Sequence, residues 1–223
     1  MGMGAVNPAL LHAWLAGRSL ARGLPAPVAD HGGFRVDTRS DTETCRWVFA
    51  APSPGITALA RTIEGPGQLI KLCGTKDALR ALLPGAWELH PCGYFLQAGE
   101  WPAATRVAEG YRCSIATGGP VAHVTIRDAT GALAASGFAA GTADAYVYDR
   151  IVTAPEHRRK GLAGAVMAAL RAARTDTHQP ELLVATEAGR HLYERLGWRL
   201  LSPYATASRP ETSGDGSAAV RSG

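Results

Sequence analysis

Helix-spaced and strand-type apolar patterns alternate along most of the chain. Leu10, Leu11, Trp14 and Leu15 lie on one helical face. Asn7-Pro8 opens that helix as N-cap and first helical residue, and Gly23 stops it. Leu24 to Val28, with two prolines, reads as extended connection. Phe34 to Asp37 and Thr44 to Phe49 alternate as strands around a polar turn at Arg39 to Thr42. Ser53-Pro54 opens a helix reaching about Glu64, and Gln68 to Cys73 is a short strand. Thr75 caps a helix from Lys76 to Leu83, which Pro84-Gly85 closes, and Trp87 to Leu89 and Tyr94 to Leu96 read as strands.

A boundary is expected near Ala98 to Pro102. Beyond it come a strand from Tyr111 to Ala116 and a hairpin from Val121 to Ala139, turning at Asp128 to Gly131. Then follow a strand from Ala145 to Thr153, a helix from about Lys160 to Ala173, and a buried-type strand from Glu181 to Thr186. A helix from Ala188 to Leu196, ended by Gly197, and a last strand from Trp198 to Leu201 complete the pattern. From Ser208 the chain is Ser, Gly, Ala and charge with nothing to bury, which reads as a disordered tail. No repeat of fixed period is visible. The expected organisation is an α/β region over 1–100, a second domain over 101–207 and the tail over 208–223.

Composition narrows the class. A chain of 223 residues with a 46% hydrophobic fraction can bury a sizeable core. A net charge of +4 without a basic stripe carrying interleaved aromatics points away from nucleic acid. Cys45, Cys73, Cys92 and Cys113 are spaced too widely for a metal motif, so four reduced, mostly buried thiols and no metal site are expected, with Cys113 a small core residue. There is no basic-then-apolar leader, and no apolar run reaches membrane-spanning length. A soluble cytoplasmic protein without a membrane partner is the expectation.

The chemistry concentrates between Tyr146 and Leu170. A β-branched strand runs into Pro155, then a basic turn, His157-Arg158-Arg159-Lys160-Gly161, then a helix with Leu162, Val166 and Leu170 on its core stripe. Such a unit aims backbone N–H groups and a positive dipole end at an anion. Gly161 lets the backbone approach that anion, and Ala163 keeps the helix start slim. Cationic side chains are disfavoured at a helix N-terminus unless an anion is expected there.

Two blocks resemble the GNAT superfamily of acyl-CoA-dependent N-acyltransferases. Ile151-Val-Thr-Ala-Pro155 leading into Arg158-x-x-Gly161-x-Ala163 is similar to its pyrophosphate-binding motif. Thirty residues beyond Ala163, Leu192-Tyr193-Glu-Arg-Leu-Gly197-Trp198 resembles its second conserved block. The resemblance covers roughly 105–207 and implies a mixed, mostly antiparallel α/β sheet, splayed at the core strand and flanked by helices, with a smaller α/β N-terminal part. It implies acetyl-CoA as the donor. Ile151, Val152 and Thr153 would offer strand-edge groups to the pantetheine arm, Arg158, Arg159, Lys160, Gly161, Leu162 and Ala163 would hold the pyrophosphate, and Tyr193 would protonate the leaving thiolate.

Several family members carry a glutamate four positions before the residue matching Ile151, where Val147 stands here. Asp149, expected by strand alternation on the face of Val147 and Ile151, is the candidate base or water-holder; its alternative is an ion pair with an arginine such as Arg150 or Arg127. Glu187, just after the strand Leu182 to Thr186, is a second candidate, with helix N-terminal capping as its alternative. His123 and His191 are read as structural, and Trp14, Trp47, Trp87 and Trp101 as core or junction residues, one of which could line an acceptor pocket. The acceptor is read as a small-molecule amine. Residues 1–100 could cover the acceptor cleft, form a homodimer interface, or be a decayed second copy of the fold. The competing reading is a non-catalytic acyl-CoA-binding or sensing module.

Overall fold

The computed structural model describes residues 5–100 and 107–210. In chain order these form α1 (Pro8–Ala21), β1 (Val28–Asp30), β2 (Gly33–Asp37), β3 (Cys45–Phe49), α2 (Pro54–Thr62), β4 (Gln68–Cys73), α3 (Lys76–Arg80), β5 (Glu88–Leu89) and β6 (Gly93–Ala98). There follow β7 (Arg112–Gly118), β8 (Val121–Arg127), β9 (Leu133–Gly141), β10 (Tyr146–Thr153), a 3₁₀ turn (Pro155–His157), α4 (Leu162–Ala172), β11 (Glu181–Ala185), α5 (Glu187–Arg195) and β12 (Trp198–Ser208). Trp101 and Pro102, the end of the expected boundary at Ala98 to Pro102, and the residues from 211 onward fall outside the described residues.

All twelve strands join one open, mostly antiparallel sheet in the order β1-β2-β3-β4-β12-β6-β11-β10-β9-β8-β7, with β5 pairing beside the end of β12. Only β3–β4 and β10–β11 are parallel. Each of these pairs is connected through a helix, α2 or α4, as a parallel crossover requires. The connectivity β2-β3-α2-β4-α3-β6 therefore repeats as β9-β10-α4-β11-α5-β12. The two last strands are exchanged: β6 lies against β11, and β12 lies against β4. This repeated connectivity is what a second copy of the fold over residues 1–100 would show. It also explains why β6, before the expected boundary, pairs between the two C-terminal strands β11 and β12.

Local chemistry accounts for the helices on either face. The Asn7 carboxamide accepts from the Ala9 N–H at 2.9 Å, and α1 buries Leu11, Trp14 and Leu15. Gly17 brings α1 flush onto β10, since a Cβ there would come within 2.4 Å of the Val147 side chain. On the opposite face, α4 buries Leu162, Val166 and Leu170 over β9, where Gly137 leaves no room for a Cβ beside Ile151 and Val166. Tyr146 and Tyr148 belong to the α4-side core and Val147 to the α1-side core, as strand alternation demands. A glutamate at Val147 would be buried under α1, so the apolar residue follows from the N-terminal helix.

Three expectations differ from the structure. The last strand runs on to Ser208, because a bulge between Leu200 and Ser202 re-registers it and lets it continue past Pro203 against β4 and β5. Val28, taken as connection, begins a short edge strand paired to β2. Cys113, expected in the core, is exposed on the edge strand β7.

Candidate active site

β10 and β11 are paired only at Tyr146–Glu181 and Val147–Leu182, and beyond that they diverge. The β11-facing edge of β10 therefore has no partner strand past Val147. A register shift between Asp149 and Val152 marks a bulge, with Arg150 in the left-handed region at φ 53°. Its guanidinium holds that conformation by lying 3.9 Å over the Phe138 ring and donating to the Ala21 carbonyl. The bulge also reverses the alternation. Asp149 stays on the α1 face with Val147, but Ile151 packs with the α4-side core, not on the face of Asp149 as strand alternation alone predicts.

The divergence opens a cleft of about 690 Å³. One side is lined by Asp149, Arg150 and Ile151 of β10, by the end of β11 through Glu187 and Gly189, and by Tyr193 of α5. The other is lined by residues of the N-terminal half and β12: Trp14, Arg18 and Arg22 of α1, Arg46 of β3, Lys71 of β4, and Tyr204 and Thr206. Tyr94 and Tyr148 complete it. Before Asp149 the sequence offered only its tryptophans, one of which could line an acceptor pocket, and none of these cations. The signal was available: Arg46 and Lys71 sit in strand segments that are otherwise buried, where a charge demands a reason.

At one end of β10, the turn before α4 leaves the helix start without a side-chain cap. Arg159 at φ 63° and Gly161 at φ 73° wind the backbone into the helix start. α1, α2, α3 and α5 are capped by the side chains of Asn7, Ser53, Thr75 and Thr186, but α4 has no side-chain cap. The first N–H groups of a helix have no partner within it, so those of α4 are open to a ligand. Arg158 and Arg159 are exposed there. Lys160 instead points back and donates to the Tyr111 hydroxyl at 2.9 Å. That hydroxyl also meets His157 Nδ1 at 2.9 Å, and His157 Nε2 lies 3.6 Å from Asp128 on the β8–β9 turn. Buried His157 thus ties the turn to the sheet. Val152 is exposed and Thr153 half-buried on the strand leading in.

The remaining sequence-chosen residues meet around the cleft. Tyr193 is buried against the Trp198 ring, and burial pushes its phenol well above the usual tyrosine range. Asp149 accepts a bidentate pair from Arg22 at 2.6 and 2.9 Å and lies 3.2 Å from Arg150. Its ion-pair alternative is the geometry adopted, with Arg22 as the main partner. Glu187 opens α5 but does not cap it; it accepts from the Tyr94 hydroxyl, which raises that phenol, and lies 3.5 Å from His191. His123 stacks on Phe138, away from the cleft. Trp14 lines the cleft, whereas Trp47 and Trp87 are core.

Residues 118–200 match the family model described as an acetyltransferase (GNAT) domain. Among solved structures, a GCN5-related N-acetyltransferase from Kribbella flavida is similar at a TM-score of 0.61 and 16% identity, covering 92% of this chain and 96% of that one. A GCN5-related N-acetyltransferase-like protein from Streptococcus suis is similar at 0.57 and 13%, covering 80% and 84%. One from Sphaerobacter thermophilus is similar at 0.51 and 13%, covering 65% and 61%. At these identities the likeness is one of fold. No curated protein matches the chain.

Proposed function

We propose, from the match of residues 118–200 to a GNAT acetyltransferase domain, that the protein transfers an acetyl group from acetyl-CoA to the primary amine of a small molecule. One observation carries the reading. A strand pair that splays after Val147 has an uncapped helix N-terminus at one end and a buried tyrosine, Tyr193, lining the cleft.

Acetyl-CoA, when bound, would supply a thioester: attack by a neutral amine would form the C–N bond and break the C–S bond. The amine nitrogen would lose a proton to water as the thiolate takes one from Tyr193, which water then re-protonates. The N–H groups opening α4, with Gly161, Leu162 and Ala163, hold the pyrophosphate, and exposed Arg158 and Arg159 neutralise it. Lys160, held on Tyr111, shapes the turn rather than reaching out. The unpaired edge of β10 from Ile151 to Thr153 accepts the pantetheine arm as an added strand would be accepted. Tyr193 keeps its proton throughout the working pH range, because its phenol is raised by burial, and gives it to the departing thiolate. Asp149, anchored by Arg22, turns its remaining lone pairs toward the incoming amine and orients it. Glu187 fixes the mouth of the cleft through Tyr94.

The test is release of free thiol from acetyl-CoA with a panel of amines. Amine-dependent thiol release with a mass gain of one acetyl on the amine is expected. Tight CoA binding with thiol release no faster than hydrolysis would leave the binding-module reading, which Val147 in the place of a glutamate favours.

A further inference from the structure

The acceptor end of the cleft holds more positive charge than it can balance. Arg18 and Arg22 on α1, Arg46 on β3 and Lys71 on β4 all line it. Strand alternation puts Arg46 on the face of Val48 and Lys71 on the face of Cys73, both in the core beneath α1, so these cations converge under one helix. Two carboxylates answer them, and both are engaged. Asp149 is taken by Arg22, and Glu43 by Arg46.

Arg18 and Lys71 are left over. Among the described residues no hydrogen bond or ion pair engages the Arg18 guanidinium, which lies 5.9 Å from the centroid of the Trp14 ring. Lys71, 9% exposed, reaches only the Thr206 hydroxyl, at 3.4 Å. Burial and the neighbouring cations push Lys71 down to about 7 and Arg18 down to about 10. An independent sign comes from β12. Tyr204 lines the same cleft and is 5% exposed, and its buried hydroxyl has no hydrogen-bond partner. A buried donor without an acceptor is costly, and Tyr204 is one; half-buried Arg18 has no hydrogen-bond partner among the described residues and Lys71 has only the long bond to Thr206.

We infer that Arg18, Lys71 and Tyr204 form a receptor for a carboxylate or phosphate on the acceptor, so that the substrate is an amine carrying an anionic group. The inference rests on the acetyltransferase reading for the amine, but not for the anion. Arg18 and Lys71 supply the charge, and Tyr204 donates a neutral hydrogen bond. Asp149, on the splayed strand β10, lines the same cleft, where the amino end of such a molecule would meet a carboxylate. The same charge distribution repels a lysine side chain on a basic segment, which disfavours a protein acceptor of that kind.

Matched acceptors test it: an ω-amino acid against its primary amide, and an aminoalkyl phosphate against the amino alcohol. The expected result is at least about a tenfold preference in kcat/KM for the anionic member, reduced about tenfold to a hundredfold by Arg18→Gln or Lys71→Met and partly restored by Arg18→Lys. Which anion is preferred separates carboxylate from phosphate. The groups facing Lys71 are Arg18 and Arg22 of α1, Arg46 of β3, Glu43 before it, and Tyr204 and Thr206 of β12. Since only Lys71 among them is brought to about 7, the preference should decline as pH rises through that value and be pH-independent in Lys71→Met. Calorimetric titration of the same anions into CoA-saturated protein reads the receptor without turnover. Anion binding that Lys71→Met abolishes, in a protein that acetylates nothing, keeps the receptor and removes the acetyltransferase reading. Equal use of acid and amide, or variants that leave their ratio unchanged, overturns the receptor, as does a CoA-saturated protein that binds no anion. Thermal melts establish that each variant is folded.

Discussion

Replacing Lys71 by methionine should make the protein more stable, and the gain should depend on pH in a defined way. Lys71 is almost wholly inside, and burial lowers its ammonium from 10.5 to about 7 against the weaker opposing pull of Glu43. The folded group gives up its proton well before the unfolded one. Between about pH 7 and 10.5 the unfolded chain binds more protons at this site, so stability rises with pH across that window. The slope for one such group approaches about 1.4 kcal/mol per pH unit. Cys45, Cys73 and the buried tyrosines also titrate at alkaline pH, but they do so in both proteins and cancel in the difference. Urea unfolding at about pH 7 and about pH 9 should therefore show wild type gaining about 2 kcal/mol on Lys71→Met between the two. The methionine variant should be the more stable at the lower pH, because a desolvated, weakly partnered charge has been removed. Parallel pH dependences would show that Lys71 is hydrated in the folded protein and would remove the premise of a desolvated anion receptor.

Other outcomes follow from the same geometry. Tyr193→Phe should lower kcat by about tenfold to a thousandfold while leaving CoA affinity nearly intact, since only the proton donor is lost; equal turnover would remove the acid role. Gly161→Val places a β-branched residue at φ 73° in otherwise open space. It should therefore cost about 1–2 kcal/mol in urea unfolding through backbone strain and raise KM for acetyl-CoA. Gly17→Leu cannot be accommodated against Val147 and should destabilise the whole protein by about 1–3 kcal/mol in thermal or urea melts, a penalty that Val147→Ala should partly relieve.

What could be read from the sequence was local. Asn7-Pro8, the Leu162-Val166-Leu170 stripe and the helix holding Tyr193 each declare themselves within a dozen residues, through caps and periodicity, and each element is present. The exchange of β6 and β12 could not be read, because strand order is decided by contacts between segments about a hundred residues apart, and the repeated connectivity carries no repeated sequence. The face of Ile151 was lost for a subtler reason. A single left-handed residue, Arg150, breaks the two-residue period, and nothing in its own identity announces that. Arg46 and Lys71 were legible as anomalies, charges inside apolar strands, yet their meaning depends on α1 closing over them. The proposed cofactor end of the cleft lies within one strand–turn–helix and is written in the sequence; the proposed acceptor end is assembled from α1, β3, β4 and β12 and is not.

The most direct measurement is thiol release from acetyl-CoA by the purified protein, with the amine product identified by mass. Saturable, amine-dependent release yielding one N-acetylated product per thiol is the result expected. Saturable CoA binding with no release above hydrolysis across charged and neutral amines alike would contradict an acetyltransferase and leave a protein that only holds the cofactor.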